Sequence, residues 1–128
     1  MASILLVEDD DQLRTMLKVL VNGAGYDVSE AASGVGVCDM HKRQRFDLII
    51  TDLVMPDIEG LEVIMDLRRI DQNVPIIAMS GAEQAGARNY LKLAQKLGAQ
   101  LTLSKPFSNQ EFLNAVSRFL ETSAQSDH

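Results

Sequence analysis

Four short groups of residues in this 128-residue chain could do chemistry, and each directly follows a β-like apolar run. Glu8-Asp9 follow Ile4-Leu5-Leu6-Val7, and Asp52 follows Leu48-Ile49-Ile50-Thr51. Ser80 follows Ile76-Ile77-Ala78-Met79, and Lys105-Pro106 follow Leu101-Thr102-Leu103-Ser104. Open parallel α/β sheets bind ligands in the crevice at the carboxyl ends of their strands. The four groups are therefore expected to meet at one edge, where carboxylates, a hydroxyl and an ammonium describe a small magnesium and phosphoryl site. Like charges held together disfavour ionisation unless a cation joins them. Oxygen-only ligands suit Mg²⁺, which takes one or two carboxylates plus a phosphate oxygen and keeps several waters.

Each group alone has a plainer reading. Asp10 and Asp11 extend the first acidic run into a helix start, where they complement the helix dipole, and that is the role assigned to them. Glu8-Asp9 could share it. Lys105 could be a surface lysine before a helix-starting proline, and Ser80 a turn residue before Gly81. Asp52 tips the balance, because a carboxylate straight after a buried strand and before Met55-Pro56 and Gly60 has no packing purpose. A lysine at a strand end can reach into the crevice as a point charge for a phosphoryl oxygen. The X-Pro bond is also the one kind of peptide that takes up cis at modest cost.

The elements that must position these groups alternate. Strand segments are predicted over 3–7, 26–31, 47–51, 75–79 and 100–103. Three are nearly continuous apolar runs, as in a parallel sheet covered on both faces, whereas 26–31 is mixed and suits an edge. Between them, Leu13, Met16, Leu17, Leu20 and Val21 share one helical face. Ser33 could cap a weak second helix through Val35, Cys38 and Lys42. Leu61, Ile64, Met65 and Arg68 repeat at helical spacing, as do Tyr90, Leu93, Ala94 and Leu97 before Gly98. A last helix starts at about Ser108 and buries Phe112, Ala115, Val116, Phe119 and Leu120. The order predicts one doubly wound α/β domain over 1–121, followed by a polar tail at 122–128. Arg88, Lys92 and Lys96 form a basic stripe opposite Leu93 and Leu97. It reads as an ordinary solvated face, with docking to an acidic partner as the alternative.

Composition sets the class. A hydrophobic fraction of 46% and a charged fraction of 23% match one soluble domain. The net charge of -6 argues against nonspecific binding to nucleic acid or to an anionic membrane. A single cysteine, Cys38, allows no intrachain disulfide. Neither it nor His41 and His128 stand at metal-ligand spacing. The start lacks the pattern of a signal peptide and no run reaches membrane-spanning length, so a cytoplasmic protein is expected.

Taken in order, Leu5-Leu6-Val7-Glu8-Asp9-Asp10, the run from Asp47 to Pro56, Asp57-Ile58-Glu59-Gly60, Ser80-Gly81-Ala82 and Lys105-Pro106-Phe107 resemble the receiver domain of two-component response regulators. The resemblance spans Ile4 to about Leu120. It implies a five-stranded parallel sheet in the order 2-1-3-4-5 and a phosphorylation switch. Asp52 would accept a phosphoryl group from a sensor histidine kinase or a histidine phosphotransfer protein. Glu8 and Asp9 would hold Mg²⁺ together with Asp52 and the backbone carbonyl of Val54. Lys105, in a cis peptide with Pro106, would pair with phosphoryl oxygens, and Ser80 would move to hydrogen-bond one of them. A downstream effector protein or domain would read the state, without direct contact to nucleic acid or membrane. A phosphorylation-dependent dimer is left open.

Three positions depart from the family's pattern. Thr102 stands where many receivers carry an aromatic residue that swings inward. Val54 and Ala82 stand where side chains tune loss of the phosphoryl group, and neither can orient a water. Slow self-dephosphorylation, and at most weak self-phosphatase activity, are the expectation. Two other functions were weighed. A haloacid dehalogenase-like hydrolase would want its nucleophile after the first strand and a second Asp two positions on, where this chain has Val54. A degenerate receiver that only binds proteins would lack some of the chemical residues, and here every position is filled. With no DNA-binding segment after the last helix, the chain reads as a stand-alone receiver or as one receiver of a larger protein.

Overall fold

The apolar runs form a single parallel sheet with strands β1 (Ser3–Val7), β2 (Asp27–Ala31), β3 (Leu48–Asp52), β4 (Ile76–Gly81) and β5 (Leu101–Lys105). Their spatial order is β2-β1-β3-β4-β5, the order expected. Helices α1 (Asp11–Gly23), α2 (Val37–Gln44), α3 (Gly60–Ile70), α4 (Ala87–Leu97) and α5 (Asn109–Ser126) make the crossovers and the final layer. This computed structural model describes residues 2–53, 60–81 and 87–126, with the backbone alone at 87, 88, 90 and 121–126.

Side chains alternate across a strand, so one apolar run feeds two cores. Leu5, Val7, Ile49, Ile76 and Ala78 face Val37, Val63, Ile64, Leu67 and Ala94 on the side of α2, α3 and α4. Ile4, Leu6, Leu48, Ile50, Ile77 and Met79 face Leu17, Val21, Phe112, Val116 and Leu120 from α1 and α5. Each fully buried Leu or Ile contributes about 1.5–3 kcal/mol. That two-sided burial is why β1, β3 and β4 carry almost no polar residue before their last positions. The mixed β2 lies at one edge and β5 at the other.

Helix ends follow local chemistry. Asp10 caps α1, its Oδ1 accepting from the amides of Gln12 (3.0 Å) and Leu13 (3.1 Å). Ser108 Oγ accepts from Glu111 N while Glu111 Oε1 accepts from Ser108 N, a reciprocal capping box ahead of α5.

Several expectations need correction. Ser33 does not cap the second helix. Its Oγ accepts from Val35 N, and the residue before α2 is Gly36 at φ 81, a left-handed conformation that glycine adopts without strain. The helix then buries Val37 and His41, while Val35 and Lys42 are exposed and Cys38 is only half-buried. Met16 and Met65 also face solvent, because Leu17 and Val63, one or two positions away, fill the space against the sheet. Leu93 is exposed beside Lys92 and Lys96 rather than opposite them. The side chain of Arg88 lies outside the described residues.

The amino-terminal end of the sheet is tied by a polar network. Phe46 N donates to His41 Nδ1 at 3.1 Å, so that nitrogen bears no proton and Nε2–H donates to Asp71 Oδ2 at 2.8 Å. The hydrogen bond from His41 is the main reason that the Asp71 carboxyl lies below its usual range. Arg68 donates to the carbonyls of Gly98 and Asp71 and to Gln100 Oε1, joining the turns before β4 and β5.

Candidate functional site

The carboxyl ends of β1, β3, β4 and β5 bring the predicted groups together. Asp52 is itself the last residue of β3, Ser80 lies within β4 and Lys105 ends β5, so each stands inside the ladder rather than just beyond it. The reason is that pairing continues upward: Asp52 lies beside Met79, Ser80 beside Ser104 and Gly81 beside Lys105. The main chain carries the ladder one step further, through Leu53 N to Met79 O (2.8 Å) and Glu8 N to Ala31 O (3.0 Å). A strand end anchored in this way holds its side chain at a fixed height.

Lys105 is the hub. Its Nζ lies 2.9 Å from Glu8 Oε1 and 3.3 Å from Asp52 Oδ2. Glu8 Oε2 accepts from Asp10 N at 3.1 Å. Glu8 and Ser80 are 0% exposed and Asp52 is 5% exposed, whereas Asp9 faces solvent. The Lys105–Pro106 peptide is cis. Ser80 Oγ is buried without a hydrogen-bond partner among the described residues. A buried hydroxyl left unpaired costs about 1–3 kcal/mol.

Electrostatics follow from burial and from two carboxylates facing one ammonium. Burial pushes the Glu8 carboxyl up to about 7. The hydrogen bond from Lys105 opposes the rise and the charge of Asp52 adds to it. Burial alone would lower Lys105, but the hydrogen bond to Glu8 and the field of Asp52 outweigh it and hold the ammonium charged. One cation is thus shared by two acids.

The donor set fits a hard divalent cation. One carboxylate oxygen from each of Glu8, Asp9 and Asp52 can be chosen so that all lie within 4.8 Å of one another. Oxygen-only donors, with Asp9 exposed to solvent, match magnesium's preference for few protein ligands and several waters. Val54, named for its carbonyl, lies outside the described residues, as does Ala82. Thr102 is half-buried in β5, paired with Ala78.

Two residues take a part at the site that the sequence did not give them. Gly60 opens α3 beneath β3, with its N–H donating to Leu53 O at 2.9 Å. A Cβ at this position would fall on Asp52 O and Leu53 Cα. Arg14, on the first turns of α1, donates through Nη1 to the carbonyl of Glu8 at 2.8 Å. The signal for Gly60 was present in the Glu59-Gly60 step. Nothing in the spacing of Arg14 distinguished it from any other surface arginine.

Comparison with known proteins agrees with this geometry. The family model of the response regulator receiver domain matches residues 4–117. Sporulation initiation phosphotransferase F of Bacillus subtilis (strain 168) is 31% identical over 117 residues, covering 91% of this chain and 92% of the relative. Chemotaxis protein CheY of Thermotoga maritima is 31% identical over 116 residues, covering 90% and 94%. Among solved structures, chemotaxis protein CheY4 of Vibrio cholerae superposes with a TM-score of 0.82 at 30% identity, covering 93% and 98%. Other relatives are longer: the chain spans 13% of sensor kinase CckA of Brucella abortus (strain 2308), at 37% identity over 123 residues. By its sequence, its strand order and the place of its acidic site, this chain belongs to the response regulator receiver domain family, the switch modules of two-component signalling.

Proposed function

We propose that this receiver is switched by phosphorylation of Asp52 in a Mg²⁺-dependent reaction, with a sensor histidine kinase or a histidine phosphotransfer protein as donor. The observation that carries the reading is the meeting of Lys105 Nζ with both Glu8 and Asp52 beside the buried hydroxyl of Ser80, which has no partner among the described residues. Phosphoryl transfer needs mainly positioning and charge neutralisation, and this constellation offers both.

One oxygen of Asp52 attacks the phosphorus of the phosphohistidine. The P–N bond breaks, and the imidazole nitrogen keeps the electron pair and takes a proton from solvent. Glu8, Asp9 and Asp52, together with the carbonyl of Val54, would hold the cation, which would supply positive charge to neutralise the phosphoryl oxygens. Lys105 passes from its carboxylate partners to a phosphoryl oxygen. Ser80 donates its hydroxyl hydrogen to another, which couples the state of the site to β4 and the start of α4. The folded unit is taken as 1–121, with 122–128 as a polar tail whose residues up to Ser126 prolong α5. A cytoplasmic location follows the function, since the kinases' phosphoryl donor is there; no helix of the described residues is long and apolar enough to cross a membrane. The product state is read by an effector protein or domain.

The test is intact-mass spectrometry after incubation with acetyl phosphate. The wild type should gain a single phosphoryl group only with Mg²⁺, and Asp52→Ala should gain none. An equal adduct on Asp52→Ala would move the acceptor to another residue and overturn the reading; no adduct on the wild type with acetyl phosphate and Mg²⁺ would overturn it too and leave a binding module independent of phosphorylation.

A further inference from the structure

We infer that Arg14 is a positioning residue for the cation site, acting through the main chain of Glu8; the inference rests on the Mg²⁺ reading above. Arg14 is on α1, and its guanidinium satisfies three acceptors from different parts of the chain. Nη1 reaches the Glu8 carbonyl at 2.8 Å, Nε reaches Glu30 Oε1 on β2 at 2.9 Å, and Nη2 reaches Asp11 Oδ1 at 2.7 Å. Glu30 is held in turn by Lys18 at 2.6 Å. The Arg14 side chain is 15% exposed, so this is not a loose surface pair.

The turn that it grips is the one that presents two of the three candidate ligands. Glu8 N is fixed to Ala31 O, and Asp10 is fixed as the cap of α1. The peptide between them, which sets where the Asp9 side chain emerges, is anchored through the Glu8 carbonyl by Arg14. The planar fork of arginine can serve three acceptors in fixed directions, which the single ammonium of lysine cannot. Partners of ligands that stand one step behind the metal typically account for 10–100-fold in metal affinity.

Charge and position make opposite predictions here. Arg14 is a cation close to a cation site, so by electrostatics alone its removal should tighten Mg²⁺ binding. If its task is to aim the Glu8–Asp9 peptide, removal should weaken binding. Mg²⁺ dissociation constants are measured by calorimetry on the full chain for the wild type, Arg14→Met, Arg14→Lys and Glu30→Gln, with melting temperatures in EDTA as the measure of fold. Weakening by about tenfold is expected in Arg14→Met, and a similar loss in Arg14→Lys, which keeps the charge. Glu30→Gln, which removes the ion pair but spares the bond to Glu8, should stay within about twofold while its melting temperature falls. Tighter or unchanged Mg²⁺ binding in both arginine variants would overturn the inference and leave Arg14 a brace between α1 and β2. Should Arg14→Met fail to fold, Arg14→Lys alone decides. A wild type that binds no Mg²⁺ would overturn the reading of the site itself, and this inference with it.

Discussion

Glu8 shows how far one residue can set the behaviour of the site. Its carboxyl titrates near 4.5 when exposed and at about 7 in the fold. The native state therefore holds a proton that the unfolded chain has released between those values. The group's contribution to stability is full below pH 4.5 and is lost as pH rises through 7. Glu8→Gln should melt close to the wild type at pH 5 and about 5 °C above it at pH 8 without divalent cation. Thermal melts across that range check it, and a gap that does not widen with pH would contradict the burial argument. Val54 and Ala82 make a second case. Neither side chain can hold a water in line with a phosphoryl group, so the double variant Val54→Asn, Ala82→Glu should lose its adduct at least several-fold faster. The decay of the mass adduct reads this directly, and an unchanged rate would remove these positions from the account. The residues of the site were legible because their chemistry is unusual for strand ends. Arg14 and His41 were not, since an arginine among surface charges and a histidine in a polar helix carry no signal until the partners, Glu8 O and Asp71, are brought near by the fold.

At the scale of elements, β3 depends on the helix that follows it. Gly60 is where α3 passes against the backbone of Asp52 and Leu53, and there is no room for a methyl group. Gly60→Ala should cost more than about 2 kcal/mol, since backbone atoms on the other side cannot yield. Gly23→Ala, at the open end of α1, meets nothing within 4 Å and should be neutral or gain up to about 1 kcal/mol. Urea unfolding of both variants separates a general glycine effect from this close approach. Strands β1, β3 and β4 were readable because double-sided burial leaves them almost wholly apolar. The second helix was misread at its face and cap because Gly34 and Gly36 blur the helical period there. The backbone at Gly36, φ 81, fixes the start in place of a side-chain cap.

Over the whole molecule, the two ends of the sheet divide the work. The carboxyl end gathers Glu8, Asp52 and Lys105, while the amino end holds the His41–Asp71 and Arg68–Gly98 bonds that tie three turns together. Changes at one end should leave the other's property intact. Asp71→Ala removes the acceptor of His41 and of the amides of Asn73 and Val74, and should cost about 2 kcal/mol or more. Its phosphoryl adduct should form as in the wild type, and a lost adduct in a folded variant would contradict the division. The doubly wound class followed from the alternation of strand and helix patterns, and the strand order from the family resemblance. The close geometry of the site did not, because it is set by how far each parallel ladder extends past the last apolar residue. The most direct test of the account is to locate the phosphoryl group. Borohydride converts an acyl phosphate to the alcohol, so the phosphorylated chain should yield homoserine at position 52 on tandem mass spectrometry and at no other acidic residue. Homoserine at Asp9 or at another carboxylate would contradict the account, as would a stable phosphoryl group that resists reduction.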